Sequence, residues 1–358
     1  MKLEPRYPDT LYPLLLQPIF KHRIWGGRRL ETVLGKNLPP NQPIGESWEL
    51  SCRDDDNNII RNGPLADKTL RDIFTTEKEA LVGPRFRNAA KFPLLNKFID
   101  ANDLLSVQVH PNEECARRFP DAEAKTEAWY IIHAEPGASL IKGLKPGVTR
   151  QSFENAIRDG TVPDTLNQFP VSARDMVFVP AGCVHAMGKG LIVCEIQQNS
   201  DTTYRVYDWD RLGSDGKPRQ IHVQQALETV NFNDRSPDKV ATIAVLQGRN
   251  LTEYLVVCPY FSARLLRLEE PQKESTRHER FESLMITNGQ GAIRAKNGET
   301  RFVAGDSVLI PAAVGEYTIV PSGQCSLLKT YVPTLEDELR ELRSKEIAEE
   351  TIRAIVFD

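Results

Sequence analysis

A twelve-residue pattern occurs twice in this chain and limits its fold more than any other feature. Arg174-Asp175-Met176-Val177-Phe178-Val179-Pro180-Ala181-Gly182-Cys183-Val184-His185 is echoed by Gly305-Asp306-Ser307-Val308-Leu309-Ile310-Pro311-Ala312-Ala313-Val314-Gly315-Glu316, with Asp and Pro equally spaced in both. Upstream, Glu127-Ala128-Trp129-Tyr130-Ile131-Ile132 matches Glu282-Ser283-Leu284-Met285-Ile286-Thr287. The interval from that Glu to the repeated Asp is 48 residues in the first copy and 24 in the second, and a predicted helix near 149–158 fills much of the excess. Such self-similarity reads as two copies of one β unit.

Short runs rich in Val, Ile, Phe and Tyr, separated by Gly and Pro turns, carry the rest of the fold. Strands are expected at Ala128–Ile132, Met176–Val179, Leu191–Ile196 and Thr203–Tyr207, then at Phe261–Leu268, Leu284–Thr287, Ser307–Ile310 and Cys325–Tyr331. Helical spacing is confined to Asp67–Leu81, Thr149–Arg158 and the tail from Thr334, where a Thr334-x-x-Asp337 cap precedes Leu335, Leu339 and Leu342 among charges expected to form a solvated face. The predicted class is mainly β: two β-sandwich or jelly-roll units with helical insertions and a C-terminal helix. Residues 1–240 form the first, metal-binding unit, 241–333 the second, and 334–358 the tail.

Candidate chemistry sits in the first unit. In Gln108-Val109-His110-Pro111 alternate side chains share a face of a strand, so Gln108 and His110 point at one centre, which Glu127 and His185 reach from neighbouring strands. Two imidazoles, a carboxylate and an amide oxygen suit zinc. Each residue alone reads more readily as a core histidine or a surface glutamate; together they reverse that reading. The second copy has Glu316 for the histidine and no Gln-x-His in register, so it is expected to bind no metal. Its expected role is packing against the first copy or the tail, with a non-catalytic ligand role as the alternative.

The charge balance excludes several classes. With 45 basic and 49 acidic residues, a net charge of -4 and no Lys/Arg stripe, nucleic acid is not an expected partner. The apolar run 11–20 is broken by Pro13 and Pro18 and is too short to span a bilayer. Six scattered cysteines form no Cys-x-x-Cys pair and read as reduced, buried thiols. A cytoplasmic protein, either a monomer or a weak homo-oligomer, is expected, with no membrane partner.

The order Gln108-x-His110-Pro111, Lys125-x-Glu127, Pro180-x-x-x-x-His185 and Asn199-Ser200-Asp201-x-x-x-Arg205 resembles the cupin-fold type I mannose-6-phosphate isomerases in their shorter bacterial form. The likeness runs from about residue 14 to 332 and takes in Ile24-Trp25-Gly26-Gly27, Gly45-Glu46-Ser47-Trp48-Glu49 and Leu105-Ser106-Val107-Gln108. It implies one zinc held by His110, Glu127 and His185, with Gln108 as a fourth, displaceable ligand, and a catalytic Arg205. It also implies a phosphorylated hexose as substrate.

Aldose–ketose interconversion moves a proton between adjacent carbons through an enediolate, whose charge needs a fixed cation and no nicotinamide or flavin. Arg205, always cationic, suits an enediolate or phosphate oxygen; its competing reading is an ion pair with Asp201 or Asp208. Lys125, two residues before Glu127, is a second candidate catalytic residue, against a solvated rim lysine. Ser106, Glu46 and Trp25 are candidate substrate contacts, and Trp25 and Trp48 equally suit core packing. Water, an unligated carboxylate such as Glu46 or Glu49, or a histidine could each move the proton. His22 could reach the cavity mouth, whereas His133, His222 and His278 read as structural. The competing functions are a cupin dioxygenase, since such donors also hold ferrous iron, and a sugar-binding cupin without turnover.

Overall fold

Period-two alternation lets one strand bury both of its faces, and here it builds two sandwiches back to back. The chain is described by a computed structural model over residues 10–213 and 215–357. In the first unit a six-stranded antiparallel sheet runs in the order Met176–Val179, Glu127–Ala134, Leu191–Gln198, Leu94–Ala101, Ile44–Leu50, Ile19–Gly27. It faces a five-stranded sheet ordered Tyr204–Tyr207, Val107–Val109, His185–Met187, Ser139–Leu144, Leu166–Pro170. In the second unit an eight-stranded sheet faces four strands ordered Gln272–Ser275, Glu316–Pro321, Gln290–Ala295, Gly298–Val303. Every run expected to be a strand overlaps one.

The repeat is reproduced residue for residue in the pairing. Val179 lies opposite Glu127 and Val177 opposite Trp129, just as Ile310 lies opposite Glu282 and Val308 opposite Leu284. Trp129 and Ile131 point into the first sandwich with Ile99 and Val193, while Ala128 and Tyr130 point out to join Met285, Leu309 and Leu328 in one core between the units. Asn96 donates across that interface to Ser283 Oγ (3.2 Å) and Thr330 Oγ1 (2.9 Å). The second copy thus packs against the first. The N-terminal strand Leu14–Gln17 crosses over to pair with Ser307–Ile310 in the second unit's sheet.

The helices bring three corrections. Residues 67–81 form two helices, Leu70–Thr76 and Lys78–Val82. Asp67 has φ 68°, Thr69 caps the first through Asp72, and Glu77 (φ −130°) breaks the chain after the β-branched pair Thr75–Thr76. Helix Arg150–Asp159 agrees with its expected span and stops at Gly160, whose φ of 72° suits glycine. In the tail, Leu335–Arg343 follows Thr334, but the Thr334 side chain makes no cap hydrogen bond. Nor is that helix's polar face simply solvated: Glu338 is 1% exposed and bonds Arg264 (2.9 Å) and Tyr331 Oη (2.7 Å). Among the described residues no helix is long and apolar enough to cross a membrane, and all six cysteines are free and buried.

Candidate metal centre and active site

Val107 and Val109 enter an apolar cluster with Ile141, Phe153 and Val184, so Gln108 projects from the other face of its short strand, toward the six-stranded sheet. There Gln108 lies opposite His185 on one neighbouring strand and Arg205 on the other. Glu127 arrives from the opposing sheet, at the start of Glu127–Ala134. One donor atom from each of His110, Glu127 and His185 lies within 4.8 Å of the others, and all three residues are buried. His110 Nε2 is 3.4 Å from Glu127 Oε2, and His185 Nε2 is 3.3 Å from Glu127 Oε1. Gln108 Nε2 lies 3.3 Å from His185 Nε2, which places the Gln108 amide beside the cluster.

The surrounding hydrogen bonds set the imidazole tautomers. His110 Nδ1–H donates to the Thr202 carbonyl (2.8 Å) and His185 Nδ1–H to the Cys183 carbonyl (2.9 Å), leaving both Nε2 atoms as acceptors that face Glu127, that of His185 also meeting the Gln108 amide. Burial pushes His110 down to about 3, helped by Lys125 and opposed by Glu127; burial lowers His185 as well. Burial alone would raise Glu127, but Lys125, His110 and His185 hold its carboxyl well below the usual range. Neutral imidazoles beside an ionised carboxylate are the metal-binding protonation states. His110 Nε2 and both Glu127 carboxylate oxygens are buried without a hydrogen bond, and only Oε2 has a cation nearby, Lys125 Nζ, an arrangement costly for buried polar atoms. A divalent cation would satisfy all three, so the donor set fits a metal.

Lys125 is buried rather than solvated, with Nζ 3.1 Å from Glu127 Oε2. Arg205 is half-buried, donates from Nη1 to the Gln220 carbonyl (2.9 Å), and donates its backbone N–H to His222 Nδ1 (3.2 Å). The expected competitor Asp208 is already taken by Arg211 and Arg219, and no carboxylate bonds Arg205 among the described residues. Burial and the nearby Arg219 lower its pKa.

Glu46 accepts from Arg23 Nε (3.0 Å) and Nη2 (3.1 Å) and from Trp48 Nε1 (2.7 Å). Burial acts to raise it, yet Lys97 and Arg23 bring it down to about 2, a locked anion rather than a proton carrier. Glu49 is no candidate base either: Lys36 (2.5 Å) and Ser307 (2.8 Å) bind it in the contact between the units. Trp25 packs with Ile99, Leu105 and Trp129, Ser106 is buried beside Val107, and His22 is exposed on its strand.

Sequence reasoning missed Glu195 and Lys97. Glu195 lies opposite Trp129 and Lys97 on its two neighbouring strands, accepts from Trp129 Nε1 (3.3 Å), and has Lys97 Nζ 3.1 Å from Oε2. Burial raises its carboxyl, Lys97 opposes, and the charge of Glu127 raises it further. Trp129 in turn meets His185 edge-on, ring centroids 5.4 Å apart. The available signal was charge inside two strands buried along almost their whole length, Glu195 in Leu191–Gln198 and Lys97 in Leu94–Ala101, where an ionised group persists only when paired.

Two family models match: the catalytic domain of type I phosphomannose isomerase over residues 14–135, and the mannose-6-phosphate isomerase cupin domain over 250–332. His185, Glu195 and Arg205 fall between those stretches. The chain is 35% identical over 319 residues to a probable mannose-6-phosphate isomerase, GmuF, of Bacillus subtilis, covering 88% of this chain and 98% of that one. It is 32% identical to a mannose-6-phosphate isomerase of Streptococcus mutans, covering 84% and 93%. A crystal structure of the Bacillus subtilis mannose 6-phosphate isomerase superimposes with a TM-score of 0.81 at 30% identity, covering 89% of this chain and 99% of that one.

Proposed function

This chain belongs to the type I mannose-6-phosphate isomerases, and we propose that it interconverts mannose 6-phosphate and fructose 6-phosphate through an enediolate at the His110–Glu127–His185 cluster, with zinc as the cofactor. The observation that carries the metal reading is the set of three buried acceptors without a hydrogen bond, His110 Nε2 and both Glu127 oxygens, with the Nδ1 atoms of His110 and His185 already spent. Zinc bound there would polarise the sugar's carbonyl and hydroxyl oxygens.

The chain's own residues divide the remaining work. Arg205, without a carboxylate partner and beside Arg211 and Arg219, offers a guanidinium fork to phosphate or enediolate oxygen. Lys125 keeps Glu127 ionised and ready for a cation. Glu195 is the carboxylate we assign to proton transfer between the two carbons, because its pKa is raised whereas Lys97 and Arg23 lower that of Glu46, and Lys36 and Ser307 hold Glu49 between the units. Trp129 and Lys97 hold it in place. We assign residues 1–240 to this catalytic unit, and the six reduced cysteines fit the cytoplasm.

A coupled assay for fructose 6-phosphate, run before and after chelation and again with zinc restored, tests the reading. Activity should vanish and return, and His185→Ala should stay folded yet inactive. Turnover that persists after verified metal removal would reject it.

A further inference from the structure

The shared register also says what stands in the second unit where the first has its donors. Glu316 lies opposite Ser275 as His185 lies opposite Gln108, and two residues beyond those partners stand Arg277 and His110. Lys329 lies opposite Arg264 as Glu195 lies opposite Lys97. A guanidinium therefore replaces an imidazole, and an ammonium replaces a carboxylate. Glu282, the counterpart of Glu127, is engaged by Arg280 (3.1 Å) and the Tyr317 hydroxyl (2.5 Å), so the paired-imidazole metal set of the first unit is not reproduced there.

A cleft of about 590 Å³ opens at this position, lined by Arg264, Lys273, Arg277, Arg280, Arg294 and Lys329, among others. Its walls carry seven cationic side chains against three carboxylates, Glu274, Glu316 and Glu341. Three more acids engage these cations, Glu282 and Glu338 buried against Arg280 and Glu299 against Arg294, so the seven cations exceed the acids by one. In the first unit, strand Tyr204–Tyr207 lies beyond Val107–Val109. The second unit's sheet ends at Gln272–Ser275, which leaves this side of the cleft uncovered by a further strand.

Two details point to an anion. Arg264 is 6% exposed and lines the cleft, yet its Nε is buried without a hydrogen-bond partner. Glu341, from helix Leu335–Arg343, already acts as an internal anion: it accepts from Arg264 Nη1 (2.6 Å) and Nη2 (3.1 Å) and from Arg277 Nη2 (3.3 Å). A free monocarboxylate would only duplicate Glu341. A dianion with three oxygens can outbid it, and the planar arginine fork matches phosphate geometry.

We propose that the second cupin unit is a non-catalytic receptor for a phosphate monoester or free phosphate dianion, held by Arg264, Arg277 and Lys273 in competition with Glu341. This site is separate from the reacting centre and does not depend on the identity of its metal or substrate.

Hydrogen–deuterium exchange of the full-length, metal-loaded chain, titrated with glycerol 3-phosphate and in parallel with inorganic phosphate, reads the site locally. Either probe should protect residues 272–277, and the stronger of the two identifies the source that fills the cleft. Arg277→Glu should weaken that response about tenfold or more, as expected for losing a charge-assisted contact and adding a repulsive one. Glu341→Gln, which removes the competitor, should tighten it several-fold. Both variants should keep wild-type turnover. Absence of protection with either probe, a response indifferent to Arg277→Glu, or weaker binding in Glu341→Gln would overturn the proposal.

Discussion

Glu46→Gln separates a residue that holds the site together from one that reacts in it. The Glu46 carboxyl is nearly buried, and Lys97 and Arg23 draw its pKa from 4.5 to about 2 against the cost of burial. A folded-state value depressed by roughly 2.5 units corresponds to about 3 kcal/mol of stability at neutral pH, at about 1.4 kcal/mol per unit. The sign follows from the depression: the contribution is fully present above the unfolded value and is lost as pH falls through the folded one. Glutamine has nearly the same shape but no charge to lose. Urea unfolding followed by circular dichroism should therefore find Glu46→Gln about 3 kcal/mol less stable than wild type at pH 7. That gap should close progressively from about pH 5 toward pH 2, where wild-type Glu46 is itself protonated. Under conditions where both proteins are folded, kcat should stay within about tenfold, because Glu46 carries no proton in the reaction. A gap that ignores pH, or a variant as stable as wild type at pH 7, would refute the electrostatic account; a loss of turnover in fully folded protein would return Glu46 to the list of bases.

Glu195→Gln should lower kcat by about 10² to 10⁴ with KM changed far less, and should remove one limb of the pH–rate profile; steady-state kinetics across pH checks this. Arg205→Ala should raise KM for the sugar phosphate by about tenfold or more while the metal content of the purified protein stays at wild type, since its guanidinium touches no ligand. Glu338→Ala should cost about 2 to 3 kcal/mol in urea unfolding, because it strips one of two acid partners from the nearly buried Arg264, which keeps Glu341, and from Arg280, which keeps Glu282. A loss under about 1 kcal/mol would mean that the tail is a solvated helix after all.

Much of the fold was legible because both of its organising signals are local. Alternation of apolar residues and Gly/Pro punctuation are properties of a few neighbours, and a duplicated pattern is visible without coordinates; hence the eight strands and the shared register of Glu127 and Glu282. Local signals misled where two were nearly balanced. The run 67–81 has helical spacing throughout, but its β-branched Thr pair and the conformation of Glu77 split it. The charged tail looks like a solvated face until Arg264 and Arg280 are found beneath it, more than fifty residues away in sequence.

The sequence by itself determined which donors exist and on which side of a strand each lies: Gln108 and His110 share a face because alternate residues must, and Glu127 and His185 stand at the matching ends of a repeated motif. Only the tertiary structure decided which charges are free. Whether Glu46, Glu49 or Glu195 retains an unspent carboxylate depends on what approaches it from other strands, and whether Arg205 is paired depends on Arg211 and Arg219 having claimed Asp208 first. Coulomb interactions and desolvation are set by distances through space and by burial, and neither quantity is written in the order of residues along the chain.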